Sequence, residues 1–145
     1  MFETSTLLRF DPFIFPDGGQ PKSKYFIVIK NDESGVLLAS LPTSKDHVPS
    51  DIPFEVGCLE IPERNVNVFV FEEGQQVTST FCFPRRTFIY GAALKVYPIA
   101  EFERQNLEGE TVITDLGKLE ASLFATLIEC LKNSDAVRGK FKKMM

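Results

Sequence analysis

Three groups of residues in this chain carry the side-chain types that phosphate chemistry needs. The first is Lys22 and Lys24, two ammonium groups just before the apolar run Tyr25 to Ile29. The second is Thr43-Ser44-Lys45-Asp46-His47, which sets two hydroxyls, an ammonium and the sole histidine directly after Pro42. The third is Arg85-Arg86, the only adjacent arginines, flanked by Phe81, Phe83 and Phe88. Hydroxyls orient a phosphate and an ammonium adds charge, while a guanidinium fork matches two phosphate oxygens at once and can stack on bases. An exposed His47 titrates in the range that general acid/base work requires.

Each group also has a purely structural reading. Thr43 and Ser44 can cap a loop by bonding backbone groups, His47 can be a plain surface residue, and Arg85-Arg86 can keep a strand edge soluble. The acidic pair Glu72-Glu73 falls in a turn and reads as a solvated face. No phosphate-binding loop, G-x-G-x-x-G after a strand, H-E-x-x-H or G-x-S-x-G occurs. A metal held by His47, Cys58 and Cys82 would need three distant segments to converge, so no metal and no cofactor is expected.

The elements that must position these groups are mostly strands. Tyr25 to Ile29 and Val36 to Leu41 flank Asn31-Asp32-Glu33-Ser34-Gly35, whose residues bond their own backbone or tolerate positive φ, which is a hairpin signal. Ser5 to Phe10 predicts a first strand, and the proline-bearing stretch Asp11 to Ser23 a surface loop with Phe13 and Phe15 tucked beneath it. Phe54 to Ile61 predicts a strand with Gly57 as a bulge. The alternation in NVNVFVF predicts a half-buried strand, with Val77 to Phe83 returning as its hairpin partner. Thr87 to Tyr90 and Ala93 to Tyr97 continue as strand, Ala100 to Glu110 is a short helix or loop, and Thr111 to Thr114 one more strand. Leu123, Phe124, Leu127, Ile128 and Leu131 recur at helical spacing between Glu120 and Lys132, so one stripe of a terminal helix faces a core. Many short strands and one terminal helix predict a mainly β fold, a small bent antiparallel sheet or barrel with a C-terminal helix.

Length bounds this to a single domain, residues 1–133, followed by a basic tail over 134–145 that reads as frayed. That tail holds four bases against one acid. The remaining twelve bases and nineteen acids leave about −7 on the body, against −4 for the whole chain. An acidic body disfavours indiscriminate binding to phosphate backbones, so a nucleic-acid role needs a local basic groove. Fourteen Phe and no Trp predict a core of phenyl rings and branched aliphatic side chains. Three widely spaced cysteines without a C-x-x-C read as reduced thiols. MFETSTLLRF shows no basic segment followed by an apolar one, and no apolar run approaches the ~20 residues that cross a bilayer. The expectation is a soluble cytoplasmic protein with no membrane partner.

In four places the residues resemble the small SH3-like barrel toxins of the MazF, PemK and Kid type. Phe15, Asp17-Gly18 and Tyr25-Phe26-Ile27-Val28-Ile29 followed by Asn31-Asp32 are similar to that family's first block, with Lys24-Tyr25 where the family has Arg-Pro. Val36 to Leu41 followed by Pro42-Thr43-Ser44 is similar to the second block, and Arg85 to Thr87 falls near the third, with Phe83-Pro84 where the family has Asp-Gln. Leu116-Gly117-Lys118-Leu119 before the helix is similar to the family's isoleucine-Gly-Lys-Leu. The connections Asn65 to Gln76 and Tyr97 to Glu110 are longer than the family's, so the resemblance is to a divergent member.

The resemblance implies an SH3-like barrel and a homodimeric, metal-independent endoribonuclease. Such toxins cut single-stranded RNA, including mRNA, through attack of the ribose 2′-hydroxyl and pair with a small antitoxin protein. Carried over by position, Lys24, Thr43, Ser44 and Arg85 are the catalytic candidates, with His47 as a proton shuttle. Lys22, Lys45 and Arg86 are the RNA-binding candidates. The alternative is a catalytically inactive barrel that uses its groove or an exposed strand edge to bind protein or RNA.

Overall fold

The computed structural model describes residues 2–32, 35–43, 51, 53 and 55–145. Among the described residues eight strands form two antiparallel sheets: β1 (Thr6–Phe13), β2 (Lys22–Asp32), β3 (Gly35–Ser40), β4 (Gly57–Ile61), β5 (Val66–Phe71), β6 (Thr87–Tyr90), β7 (Lys95–Tyr97) and β8 (Val112–Lys118). The larger sheet has the order β7-β3-β2-β1-β8 and the smaller β4-β5-β6. Helices α1 (Ile99–Leu107), α2 (Ala121–Lys132) and α3 (Gly139–Met144) complete the chain. No helix among the described residues is long and apolar enough to cross a membrane.

Alternation along the strands splits the apolar side chains between the two faces of the larger sheet. One face carries Ile27, Ile29, Leu37 and Ala39, which pack with Phe69, Phe71 and Ile89 of the smaller sheet and with Leu127 and Leu131 of α2. The other carries Leu8, Phe10, Phe26, Val28 and Leu38, covered by Phe102 of α1. There Phe10 meets Phe26 at 5.2 Å and Phe102 at 4.9 Å, both edge to face. Each such pair adds about 0.5–1.5 kcal/mol beyond area burial, so interlocked phenyl rings fill the role that Trp plays elsewhere. The sheets join at one edge, where the Phe88 N–H donates to the Pro42 carbonyl at 2.9 Å, two residues past the end of β3.

Asp11 to Phe13 and Lys22-Ser23, read as loop, belong to β1 and β2, and β5, read as half-buried, is buried along its whole length. Beyond these and the strand break at Gly91–Ala93, the structure departs from the sequence reading at three places. Val77 to Phe83 does not return as the partner of NVNVFVF. β6 takes that place, with Val68 opposite Tyr90 and Phe71 opposite Thr87. Residues 74–83 instead fold back on themselves through Gly74 N–H to Phe83 carbonyl at 2.8 Å and Val77 N–H to Phe81 carbonyl at 3.0 Å. Thr78 and Thr80 draw this loop away from the ladder by donating their hydroxyls to the Leu116 carbonyl at 2.8 and 3.3 Å.

The second departure is in the cysteines. Cys58 on β4 and Cys130 on α2 form a disulfide across a separation of 72 residues, and only Cys82 is a free thiol. Disulfides persist mainly in oxidising surroundings, so the ground for placing the chain in a reducing compartment is removed. Third, the basic tail is folded. Val137 and Phe141 are buried in the main core, and Ser134 shares a 3.1 Å hydrogen bond with Glu60. Val137, just before α3, and Phe141 within it turn apolar side chains inward, which a charge count overlooks.

Candidate functional site

Strand geometry gathers the first group of candidates. Side chains two apart share a face, so Lys22, Lys24 and Phe26 of β2 point the same way. The register sets Phe26 opposite Ser40 and Leu38 opposite Lys95, which brings Ser40 of β3 and Lys95 of β7 to that same face. Phe26 is buried beneath the aromatic cluster, whereas Lys22 and Lys95 are exposed and Lys24 is half-buried. Past Phe26 the face therefore turns from a core into a groove of about 880 Å³. It is lined by Lys22, Lys24 and Lys95, by the hydroxyl residues Ser40 and Thr43, and by Phe15, Tyr25 and Tyr97.

Lys24 sits at the centre of this charge. Its Nζ donates to Ser40 Oγ at 3.3 Å and lies 4.9 Å from the centroid of the Phe15 ring and 5.9 Å from that of Phe26. Lys22 Nζ shares the Phe15 ring at 6.0 Å. Ring faces attract ammonium groups, which gives these cations a fixed seat without neutralising them. Burial, then repulsion from Lys22 and from Lys95, holds the Lys24 ammonium below its ordinary pKa. Among the described residues none of the three lysines is in an ion pair. The one acid among the described lining residues, Asp17, accepts the Gly19 N–H at 3.0 Å. The result is a cationic, ring-walled cleft on an acidic body.

The arginine pair lies elsewhere. Neither Arg85 nor Arg86 lines the groove. The fork of Arg86 is already filled by Glu72, at 2.7 Å from Nη2 and 3.2 Å from Nε. That hydrogen-bonded pairing holds the Glu72 carboxyl below and the Arg86 guanidinium above their ordinary values. Glu72 is thus the partner of Arg86 and not merely part of a solvated turn. Arg85 is exposed, and its backbone carbonyl accepts the Thr87 hydroxyl at 2.9 Å. Ser44, Lys45 and His47 lie outside the described residues.

Of the sequence candidates, then, Lys22, Lys24 and Thr43 share one groove and the two arginines do not join them. Sequence reasoning missed Lys95 and Ser40. The signal for Lys95 was the alternation Lys95-Val96-Tyr97. Reading Ala93 to Tyr97 as a single strand obscured it, because a short 3-10 turn, Gly91–Ala93, precedes β7. A second, more open hollow of about 610 Å³ runs along α2 beside Phe124, Ile128, Glu129 and Lys132, where opposite charges mix and no set of like charges converges. Among the described residues no three His, Cys, Asp or Glu side chains gather as metal ligands would. Comparison of the chain with protein-family models, with curated proteins and with solved structures gives no match.

Proposed function

We propose that the groove binds single-stranded RNA along its phosphate backbone, in a divergent relative of the MazF, PemK and Kid toxins. The observation that carries this reading is the convergence of Lys22, Lys24 and Lys95 in one cleft with no paired acid among the described residues. Phosphates replace counterions at such ammonium groups, and aromatic walls stack bases regardless of their identity. Phe15 and Tyr97 supply those walls, and both rest on buried Phe13, at 5.0 and 5.8 Å. What supports an SH3-like barrel is the Phe88 to Pro42 bond that joins the two sheets along one edge.

A second reading, RNA cleavage, is favoured by one observation: Lys24 is a half-buried amine held below its ordinary pKa and bonded to Ser40. Cleavage needs a group to take the 2′-hydroxyl proton and another to protonate the leaving oxygen, and an amine so placed suits proton transfer. In this reading Thr43 orients the scissile phosphate, and dimerisation and an antitoxin partner follow from the toxin relationship.

Fluorescence polarisation of a labelled mixed-sequence RNA decides the first reading. Wild type binds, the affinity falls with salt, and Lys24→Gln flattens the slope of log affinity against log salt by about 0.7, the share of one phosphate contact on a single strand. Binding that ignores salt, or a Lys24→Gln protein that binds like wild type, refutes it. A gel of the same RNA reads cleavage separately: intact RNA at full occupancy leaves binding and removes the nuclease.

A further inference from the structure

We infer that the groove selects the phosphorylated end of a single strand, a terminal phosphomonoester, with Lys95 as the third cation of its phosphate-binding node. This rests on the RNA-binding reading above and names the part of the strand that the groove takes.

Charge matching is the first ground. An internal phosphodiester carries a single negative charge and two free oxygens. A phosphomonoester carries about −1.5 to −2 and three acceptor oxygens. Lys22, Lys24 and Lys95 present three ammonium groups to one cleft, and they come from two strands that are not neighbours in the sheet, β2 and β7, with β3 between them. Lys24 feels both of the others. One diester charge leaves this mutual repulsion largely in place, whereas a dianion removes most of it.

Placement is the second ground. Lys24 shares the Phe15 ring with Lys22, at 4.9 and 6.0 Å, and Ser40 of β3, the strand that pairs with β7, holds its Nζ at 3.3 Å. Three donors from two strands thus open on one cleft. The walls beside them, Phe15 and Tyr97, are anchored through Phe13, so a terminal base has a ring to stack on while its phosphate meets the lysines. Lys95 is outside every stretch that resembles the toxin family, and it makes the difference between two cations and three.

The test uses the full chain and one short single-stranded RNA prepared with hydroxyl ends, with a 5′-phosphate or with a 3′-phosphate, in polarisation assays at matched salt. One phosphorylated form binds wild type about tenfold tighter than the hydroxyl form, a difference of about 1.4 kcal/mol and of the size expected when an added charge meets several solvent-accessible ammonium groups. Which form does so identifies the end. In Lys95→Gln the preference shrinks to about threefold or less while hydroxyl-ended RNA loses less affinity, and an unchanged melting curve shows that the exposed substitution leaves the fold intact. Equal binding of all three RNAs to wild type overturns the inference and leaves backbone binding standing. Equal losses for every RNA in Lys95→Gln overturn the selective role of Lys95. No binding of any RNA by wild type overturns the RNA reading itself.

Discussion

Opening the Cys58–Cys130 bond is the perturbation with the largest expected effect on stability. The bond links residues 72 apart, and closing a loop of that length in the unfolded chain removes entropy worth about 4 kcal/mol at room temperature. The native state keeps other ties at the same place. Leu127 and Leu131 of α2 are fully buried, and Asn67 Nδ2 donates to the Cys130 carbonyl at 3.3 Å. α2 therefore stays docked after reduction, and the loss is that of the cross-link alone, about 2–4 kcal/mol. Single domains have only about 5–15 kcal/mol in hand, so the shift is large. Cys58 is exposed, which gives a thiol reductant access. Urea denaturation with and without dithiothreitol measures the effect, with Cys58→Ser as the chemical equivalent. The reduced protein unfolds at lower urea and with a steeper dependence, because its unfolded state is no longer constrained. Thiol titration in denaturant supplies the control: one reactive thiol, Cys82, before reduction and three after. Three thiols before reduction, or coincident unfolding curves in both conditions, would refute the reasoning.

Further outcomes follow from other parts of the fold. Phe141→Ala removes a buried ring from the main core and should cost about 3–5 kcal/mol in urea denaturation; a loss under about 1 kcal/mol would return the C-terminal segment to the status of a frayed tail. Gly91→Ala places a Cβ at 2.3 Å from Asn67 Oδ1 and 2.8 Å from Val137 Cγ2. Overpacking of that kind costs about 1–3 kcal/mol, and a neutral thermal shift would argue against the close seat of 137 on β5. Lys24 has its folded pKa below the ordinary value of 10.5 that the unfolded chain retains. Between the two values the unfolded state binds more protons, so stability contributed by this residue rises with pH there. Wild type should therefore gain on Lys24→Gln as pH climbs from neutrality toward about 10.5, by well under about 1 kcal/mol since the group is half exposed. The opposite slope would show that the Phe15 and Phe26 ring faces outweigh burial.

The strands and helix with clear periodicity are legible in the sequence, and the reason is local. Tyr25 to Ile29 and Val36 to Leu41 are marked by the turn signal between them, NVNVFVF and the Leu123-to-Leu131 stripe by their period, and each forms a strand or helix as predicted, although β5 is buried throughout and not half-buried. Partner choice is another matter. Val77 to Phe83 and Thr87 to Tyr90 are equally apolar candidates for pairing with β5. The choice turns on Thr78 and Thr80 finding the Leu116 carbonyl, a contact spanning more than thirty residues. The cysteine pairing has the same origin, since spacing cannot show that β4 and α2 lie side by side.

The candidate site divides along the same line. Lys22, Lys24 and Thr43 are legible because the hairpin fixes where its ends lie. Arg85-Arg86 reads as a phosphate clamp until Glu72, on the turn after β5, is seen to fill the Arg86 fork. Alternation marks Lys95 as a strand residue, but only the register that sets it opposite Leu38 shows which groups it joins. Residue type announces possible chemistry, and only pairing across strands tells which of those groups meet.

The position of the groove at the meeting of the two sheets has a mechanical corollary. Lys24 belongs to the larger sheet, while Thr43 follows the very residue whose carbonyl holds β6 of the smaller one. A ligand touching both would act as a clamp over a hinge line, so its affinity and the cohesion of the sandwich become one linked quantity. Breathing apart of the sheets would loosen the occupant, and occupancy would stiffen the joint.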